Sequence, residues 1–254
     1  MWLKNIVFLL FLVSSISACQ SERQLVWEEN FDGNELDFDI WNFDIGDGCP
    51  KLCGWGNNEA QVYTDVNYKV ENGFLSLRAE KSGDGYTSTR INSKNKKEFL
   101  YGKIEVRAKL PLGKGLWPAF WMLGKNIDEV HWPACGEIDI LEYVGREPNS
   151  IFTTLHTQDS HGNSKNTRKG EIKGIEEGFH TYAIDWSHKS IVFYIDDQHF
   201  YTFEPGEISP EIWPFDQPFY LLLNLAVGGN FGGHDIDDSI FPKEFVIDYI
   251  RVYQ

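Results

Sequence analysis

The sequence predicts an all-β protein, folded as a two-sheet antiparallel sandwich. Three observations carry that expectation. Short segments alternate apolar and polar residues with the period of two that marks a strand with one buried face. Turn-forming residues interrupt these segments about every 8–12 positions. No heptad, internal repeat or long helical pattern competes with them. At 254 residues and 29.3 kDa the chain suffices for one such domain with a sizeable core.

Residues 1–18 read as a targeting segment outside the fold. Lys4 is followed by an apolar run over 6–13 and then by Ser14-Ser15-Ile16-Ser17-Ala18-Cys19. A basic residue, a short apolar core and small residues make a signal peptide, too short to span a membrane. Ile16-Ser17-Ala18-Cys19 resembles a bacterial lipobox, which would make Cys19 the lipidated first residue of an exported lipoprotein. An ordinary signal peptide with a chance Cys is the alternative. Gln20 after that Cys would, in a Gram-negative bacterium, imply the outer membrane, with the cell surface as one destination. Residues 19–24 are then a short tether and 25–254 a single domain, attached to the membrane through its lipid alone and otherwise soluble.

Leu25-Val26-Trp27-Glu28-Glu29-Asn30 reads as a strand running into the turn Phe31-Asp32-Gly33. Residues 36–41 suit a short irregular or helical piece. Residues 46–58, rich in Gly, Cys, Pro and Asn, form a structured loop. Gly73-Phe74-Leu75-Ser76-Leu77-Arg78-Ala79 alternates and turns at Gly83-Asp84-Gly85. Over 102–110, Ile104, Val106, Ala108 and Leu110 face inward while Lys103, Glu105, Arg107 and Lys109 face water. Leu116-Trp117-Pro118-Ala119-Phe120-Trp121-Met122-Leu123 is the next strand, and 151–157 another. Residues 181–186, 190–195 and 200–203 form a meander, with Asp196-Asp197 at one hairpin turn. Residues 220–227 are nearly all apolar, as in a strand buried on both faces. Residues 245–253 end the chain in alternation.

Composition narrows the partners. The net charge of −15 argues against nucleic acid and strongly anionic polysaccharides, and a neutral glycan fits better. Nine Trp within 15 % aromatics supply core, and also flat rings of the kind that stack on sugars. Apart from Cys19, Cys49, Cys53 and Cys135 make an odd number, so at least one stays free or pairs outside the chain. Cys49 and Cys53 are near enough to pair with each other, and one of them meeting Cys135 is the alternative. No His or Cys pair at zinc spacing accompanies them.

The chemistry concentrates in Gly136-Glu137-Ile138-Asp139-Ile140-Leu141-Glu142-Tyr143. Glu137 and Asp139 share a strand face. Glu142 joins them only if a β-bulge absorbs one extra residue at Ile140-Leu141. Like charges on one face raise each other's pKa, which costs stability and suits a glycosidase. A retaining glycosidase needs one ionised carboxylate and one protonated carboxyl about 5–5.5 Å apart. Acids merely pointing at water are the plainer alternative, disfavoured by the tryptophans around them.

Glu137-x-Asp139-x-x-Glu142, preceded by Trp132-Pro133-Ala134-Cys135-Gly136, resembles the active-site strand of glycoside hydrolase family 16, in the form of its laminarinase branch. Matching segments run from Trp27 to the C-terminus. The resemblance implies a concanavalin A-like jelly roll with an open glycan cleft across its concave face. It implies Glu137 as nucleophile, Asp139 as its helper and Glu142 as acid/base. It places Trp117, Trp121 and Trp132 along the cleft, although any one of them could be core. It gives Asn57, Asn58, Glu59 and Gln61 glycan contacts at far subsites, Arg90 a sugar-binding role, and Asn224 a place at the cleft edge with the loop 228–233. His156, otherwise a candidate core histidine, is expected beside the acid/base or the leaving sugar. The family usually has Trp where Phe231 stands.

Asp248 lies in the last strand on the face of Val246, Ile250 and Val252, and a buried carboxylate needs a partner or a metal. The resemblance implies one structural calcium, held by Asp248 and the carbonyls of Asn30 and Gly73; oxygen-only ligation suits that ion. A hydrogen-bonded Asp at a strand edge is the alternative. Catalysis itself calls for no cofactor. The expected protein is a monomeric, retaining endo-β-1,3-glucanase acting on laminarin-type β-glucan. The rivals are a β-1,3-1,4-glucanase or agarose-type galactan hydrolase of the same fold, and a non-catalytic β-glucan-binding protein.

Overall fold

A computed structural model describes residues 23–254 of the chain. The targeting segment, Cys19 and most of the tether therefore lie outside the described residues. Strands occupy the positions where alternation is cleanest, and very short strands fill the gaps between them. In chain order they begin with β1 (Leu25–Glu29), β2 (Asn42–Phe43), β3 (Gln61–Tyr63), β4 (Tyr68–Glu71), β5 (Phe74–Ser82) and β6 (Gly85–Ser88). Next come β7 (Arg90–Asn92), β8 (Glu98–Phe99), β9 (Gly102–Lys109), β10 (Leu116–Gly124), β11 (Glu137–Tyr143) and β12 (Ser150–His156). The last six are β13 (Arg168–Glu171), β14 (His180–Trp186), β15 (Ile191–Ile195), β16 (Gln198–Phe203), β17 (Phe219–Val227) and β18 (Lys243–Tyr253).

They pair into two sheets, as the sequence predicts for a sandwich. One runs β16-β15-β14-β9-β18-β5-β6-β3, with β1 also on β18 and β4 on β5. The other runs β13-β12-β11-β10-β17-β7-β2, with β8 also on β17. Pairing is antiparallel except between β3 and β6. The core lies between the sheets. Ile104, Val106 and Ala108 of β9 reach it from one side, and Ile138 of β11 with Leu221 and Leu223 of β17 from the other. All nine residues of β17 are buried, which explains its unbroken apolar run. Asp196 and Asp197 take φ of 48° and 60°, the left-handed pair that a two-residue hairpin requires.

Two expectations about exposure are corrected. Glu105 does not face water: Lys103 Nζ at 2.7 Å and Tyr249 Oη at 3.2 Å cover its carboxylate. Asp248 does not share a face with Ile250 and Val252. The register of β18 against β9 shifts between Ile247 and Tyr249, so the buried set is Phe245, Ile247, Ile250 and Val252. The extra residue, Asp248, leaves that face and pairs with the Arg107 guanidinium.

Cys49 and Cys53 form a disulfide inside the 46–58 loop, leaving Cys135 free and buried. The first and last described strands are tied together: Gln24 and Gln254 exchange backbone N–H···O bonds of 2.8 and 2.9 Å.

Candidate active site

Gly136 opens the acidic strand at φ +78°, where an added Cβ would come within 2.8 Å of Pro214 and 3.0 Å of Phe219. Only glycine fits that bend cheaply. Beyond it, Trp121 of β10 faces Asp139 and Phe120 faces Leu141, so Ile140 has no partner. On the other side Asp139 faces Thr154 and Glu142 faces Phe152, leaving Ile140 and Leu141 opposite Thr153. This is the predicted bulge, and it returns Glu142 to the face of Glu137 and Asp139 while Ile140 and Leu141 both enter the core.

Each acid has its own surroundings. Glu137 accepts a 2.6 Å bond from Trp132 Nε1, and its other oxygen lies 4.0 Å from His156 Nε2. Asp139, only 4 % exposed, has Oδ2 3.3 Å from the same nitrogen. Burial pushes its pKa well above the ordinary carboxylate range, and the charge and carboxyl of Glu137 push it further. Glu142, 8 % exposed, accepts from Trp117 Nε1 at 3.1 Å and from Thr154 Oγ1 at 3.4 Å. Its pKa is also driven well up, by burial first and then by Asp139. One strand face thus holds a glutamic acid whose environment favours its protonated form, beside a second carboxyl pushed the same way by burial and by Glu137.

The expected glycan contacts divide. Trp132, 43 % exposed, stands over His156 and His161 at ring distances of 5.9 and 5.3 Å. Trp117 and Trp121 are half-buried on the face of the acids. Asn58 is exposed and bonds Asn230 at 2.9 Å. Arg90 lies between the rings of Trp55 and Trp121 at 4.6 and 4.8 Å and pairs with Asp44 at 2.8 Å.

Gln61 and Asn224, expected among the glycan contacts, are both buried and already hydrogen-bonded within the protein. Gln61 gives Nε2 to Glu59 and accepts from the Val227 N–H, while Asn224 accepts from Trp121 Nε1 and gives Nδ2 to Tyr63 Oη. Glu59 gathers Gln61 at 2.6 Å, Tyr63 Oη at 3.1 Å and Asn57 Nδ2 at 3.3 Å. Burial raises its pKa while those donors and Arg90 hold it down. One half-buried carboxylate therefore braces Asn57 on one side and, through Tyr63 and Asn224, Trp121 on the other. Sequence reasoning missed Tyr63, Trp55, Asp44 and Thr154. Tyr63 stands two residues beyond Gln61 on β3, so strand alternation alone could have put it on the same face.

Of the two candidate places for a metal, only one brings its ligand atoms together. One ligand atom from each of Glu137, Asp139 and His156 lies within 4.8 Å of the others. At the expected calcium site Asn30 O approaches Gly73, 4.0 Å from where its Cβ would be, but the Asp248 carboxylate is engaged by Arg107. As placed, that set offers carbonyls without a free carboxylate and does not fit calcium.

A sandwich carrying three acids on one bulged strand, walled by tryptophans, defines a glycosidase-type site, and the chain belongs to glycosyl hydrolases family 16, whose model matches residues 55–251. It is 61 % identical to a laminarinase from Flavobacterium sp. UMI-01, whose crystal structure superposes with a TM-score of 0.90 over 91 % of this chain and all of that one. It is 37 % identical to a β-glucanase of Rhodothermus marinus over 99 % of this chain and 95 % of that protein. A glucan endo-1,3-β-glucosidase of Cryptopygus antarcticus is 40 % identical, over 89 % and 90 % respectively.

Proposed function

We propose that this chain is a retaining endo-β-1,3-glucanase that hydrolyses neutral, laminarin-type β-glucan. The observation that carries the reading is the division of labour on β11. Burial and Asp139 push Glu142 toward its protonated form, while Glu137 sits at the more open end beneath Trp132. Glu142 protonates the glycosidic oxygen as Glu137 attacks the anomeric carbon. Water then releases the glycosyl-enzyme with Glu142 acting as base, so configuration is retained. Asp139 holds a proton in common with Glu137 and so tunes both carboxyls. The relatives' names support the β-1,3 linkage.

Reducing-sugar release on laminarin, lichenan, agarose and curdlan, beside Glu137→Ser, tests this. Laminarin should be cleaved, and the variant should lose about 10³-fold or more of kcat. Cleavage chiefly of agarose would sink the substrate. Laminarin binding without cleavage would favour the binding-protein reading.

Three further proposals stand on the sequence. Lipidation at Cys19 would tether the enzyme to the outer membrane of a Gram-negative cell, and the chain would act as a monomer. A structural calcium at Asn30, Gly73 and Asp248 would require Arg107 to swing off Asp248. Melting in calcium against chelator decides this: a midpoint that calcium leaves unmoved removes the ion from the account.

A further inference from the structure

Glu137 and His156 face each other across the β11–β12 pairing, and Asp139 lies on the same face one pleat further. His156 Nε2 stands 3.3 Å from Asp139 Oδ2 and 4.0 Å from Glu137 Oε1. Zinc bonds of about 2.0–2.2 Å in tetrahedral geometry set ligand atoms roughly 3.3–3.5 Å apart. One pair is therefore already at metal-ligand separation, and a second needs roughly half an ångström of closure. Asp139 Oδ2 is a buried acceptor with no hydrogen-bond partner, and it points into this cluster. Buried acceptors are nearly always satisfied, so a lone one facing a carboxylate and an imidazole is an acceptor that a cation would satisfy.

We propose that Glu137, Asp139 and His156 form a binding site for one divalent transition-metal ion of the zinc type, and that the ion and β-glucan exclude each other. The second half of this rests on the glucanase reading. Two carboxylate oxygens and one imidazole nitrogen suit zinc or its transition-metal neighbours, whereas calcium and magnesium prefer oxygen alone. The Glu137 and His156 side chains are 16 % and 13 % exposed, so an ion reaches them from the cleft and keeps an open position there. Bound metal draws on the Glu137 lone pairs needed for attack and stands where the sugar must come.

Zinc titration calorimetry on the purified protein, with cobalt as a coloured probe, tests the site without reference to activity. One ion per chain is expected, weakened at least about tenfold by His156→Gln and by Asp139→Asn, since even outer-shell partners of a metal are worth 10–100-fold. Glu142→Gln, outside the three ligands, should bind as the parent does, and melting curves verify that each variant is folded. In laminarin assays zinc should raise KM and leave kcat unchanged. No saturable binding, or binding lost in His161→Ala but kept in His156→Gln, overturns the site. Zinc bound at the site while laminarin is still cleaved with unchanged KM overturns the exclusion. An active glucanase that ignores zinc defeats this proposal alone, and a zinc-binding chain inert on every glucan defeats the glucanase reading and the exclusion with it while the metal site stands.

Discussion

Trp117 and Glu142 illustrate how one neighbour tunes an acid. The indole N–H donates to the carboxylate at 3.1 Å and favours its charged form, opposing the burial that keeps it protonated. An acid catalyst fails as pH rises through its pKa, so Glu142 sets the alkaline limb of kcat. Removing a donor that stabilises the anion raises that pKa, so Trp117→Phe should move the limb to higher pH. A pH–rate profile checks this, and a limb that stays or moves down means that Trp117 does not set the acidity of Glu142. At this scale the acids were legible because their spacing is itself the signal. Gln61 and Asn224 were not, since a sequence names polar groups without saying which of them satisfy each other. Only the pairing of β3, β17 and β10 reveals that Glu59, Tyr63 and Asn224 consume one another's hydrogen bonds and leave Asn57, Asn58 and the tryptophans to meet solvent.

Elements longer than about five residues announce themselves by pattern: β5 and β9 by alternation, β17 by an unbroken apolar run. Two-residue strands such as β2 and β8 have no period to read, and the parallel contact of β3 with β6 joins segments no local pattern connects. Asp248 shows a subtler limit. A bulge breaks the parity on which a face assignment rests, and the partner that Asp248 then meets, Arg107, lies on another strand. The bulge on β11 was legible because three acids needed it. Its two-against-one geometry carries a consequence: deleting Ile140 turns the bulge into plain alternation with all three acids still on one face. The deletion should fold and lose about 10²-fold in kcat/KM, the cost of placement off by roughly an ångström, rather than the full loss caused by Glu142→Gln. Equal inactivity of the two variants would contradict that geometry.

For the whole molecule, the three acids with Trp117 and Trp121 stand on the sheet built around β10, β11 and β17, while β1 and β18 belong to the other. Disulfide Cys49–Cys53 likewise serves the site-bearing side, bracing the loop from which Trp55 reaches Arg90. The reciprocal bonds between Gln24 and Gln254 put the two ends of the domain side by side on the sheet without the acids. A short linker could therefore join them and the chain be reopened elsewhere, since nothing in the active strand depends on where the polypeptide starts. The exposed turn at Gly206, with nothing within 4 Å of its Cβ position, is the natural place to cut. Such a circular permutant should keep laminarin cleavage within about tenfold of the parent, because the sandwich is held by sheet pairing and not by the order in which its strands are threaded.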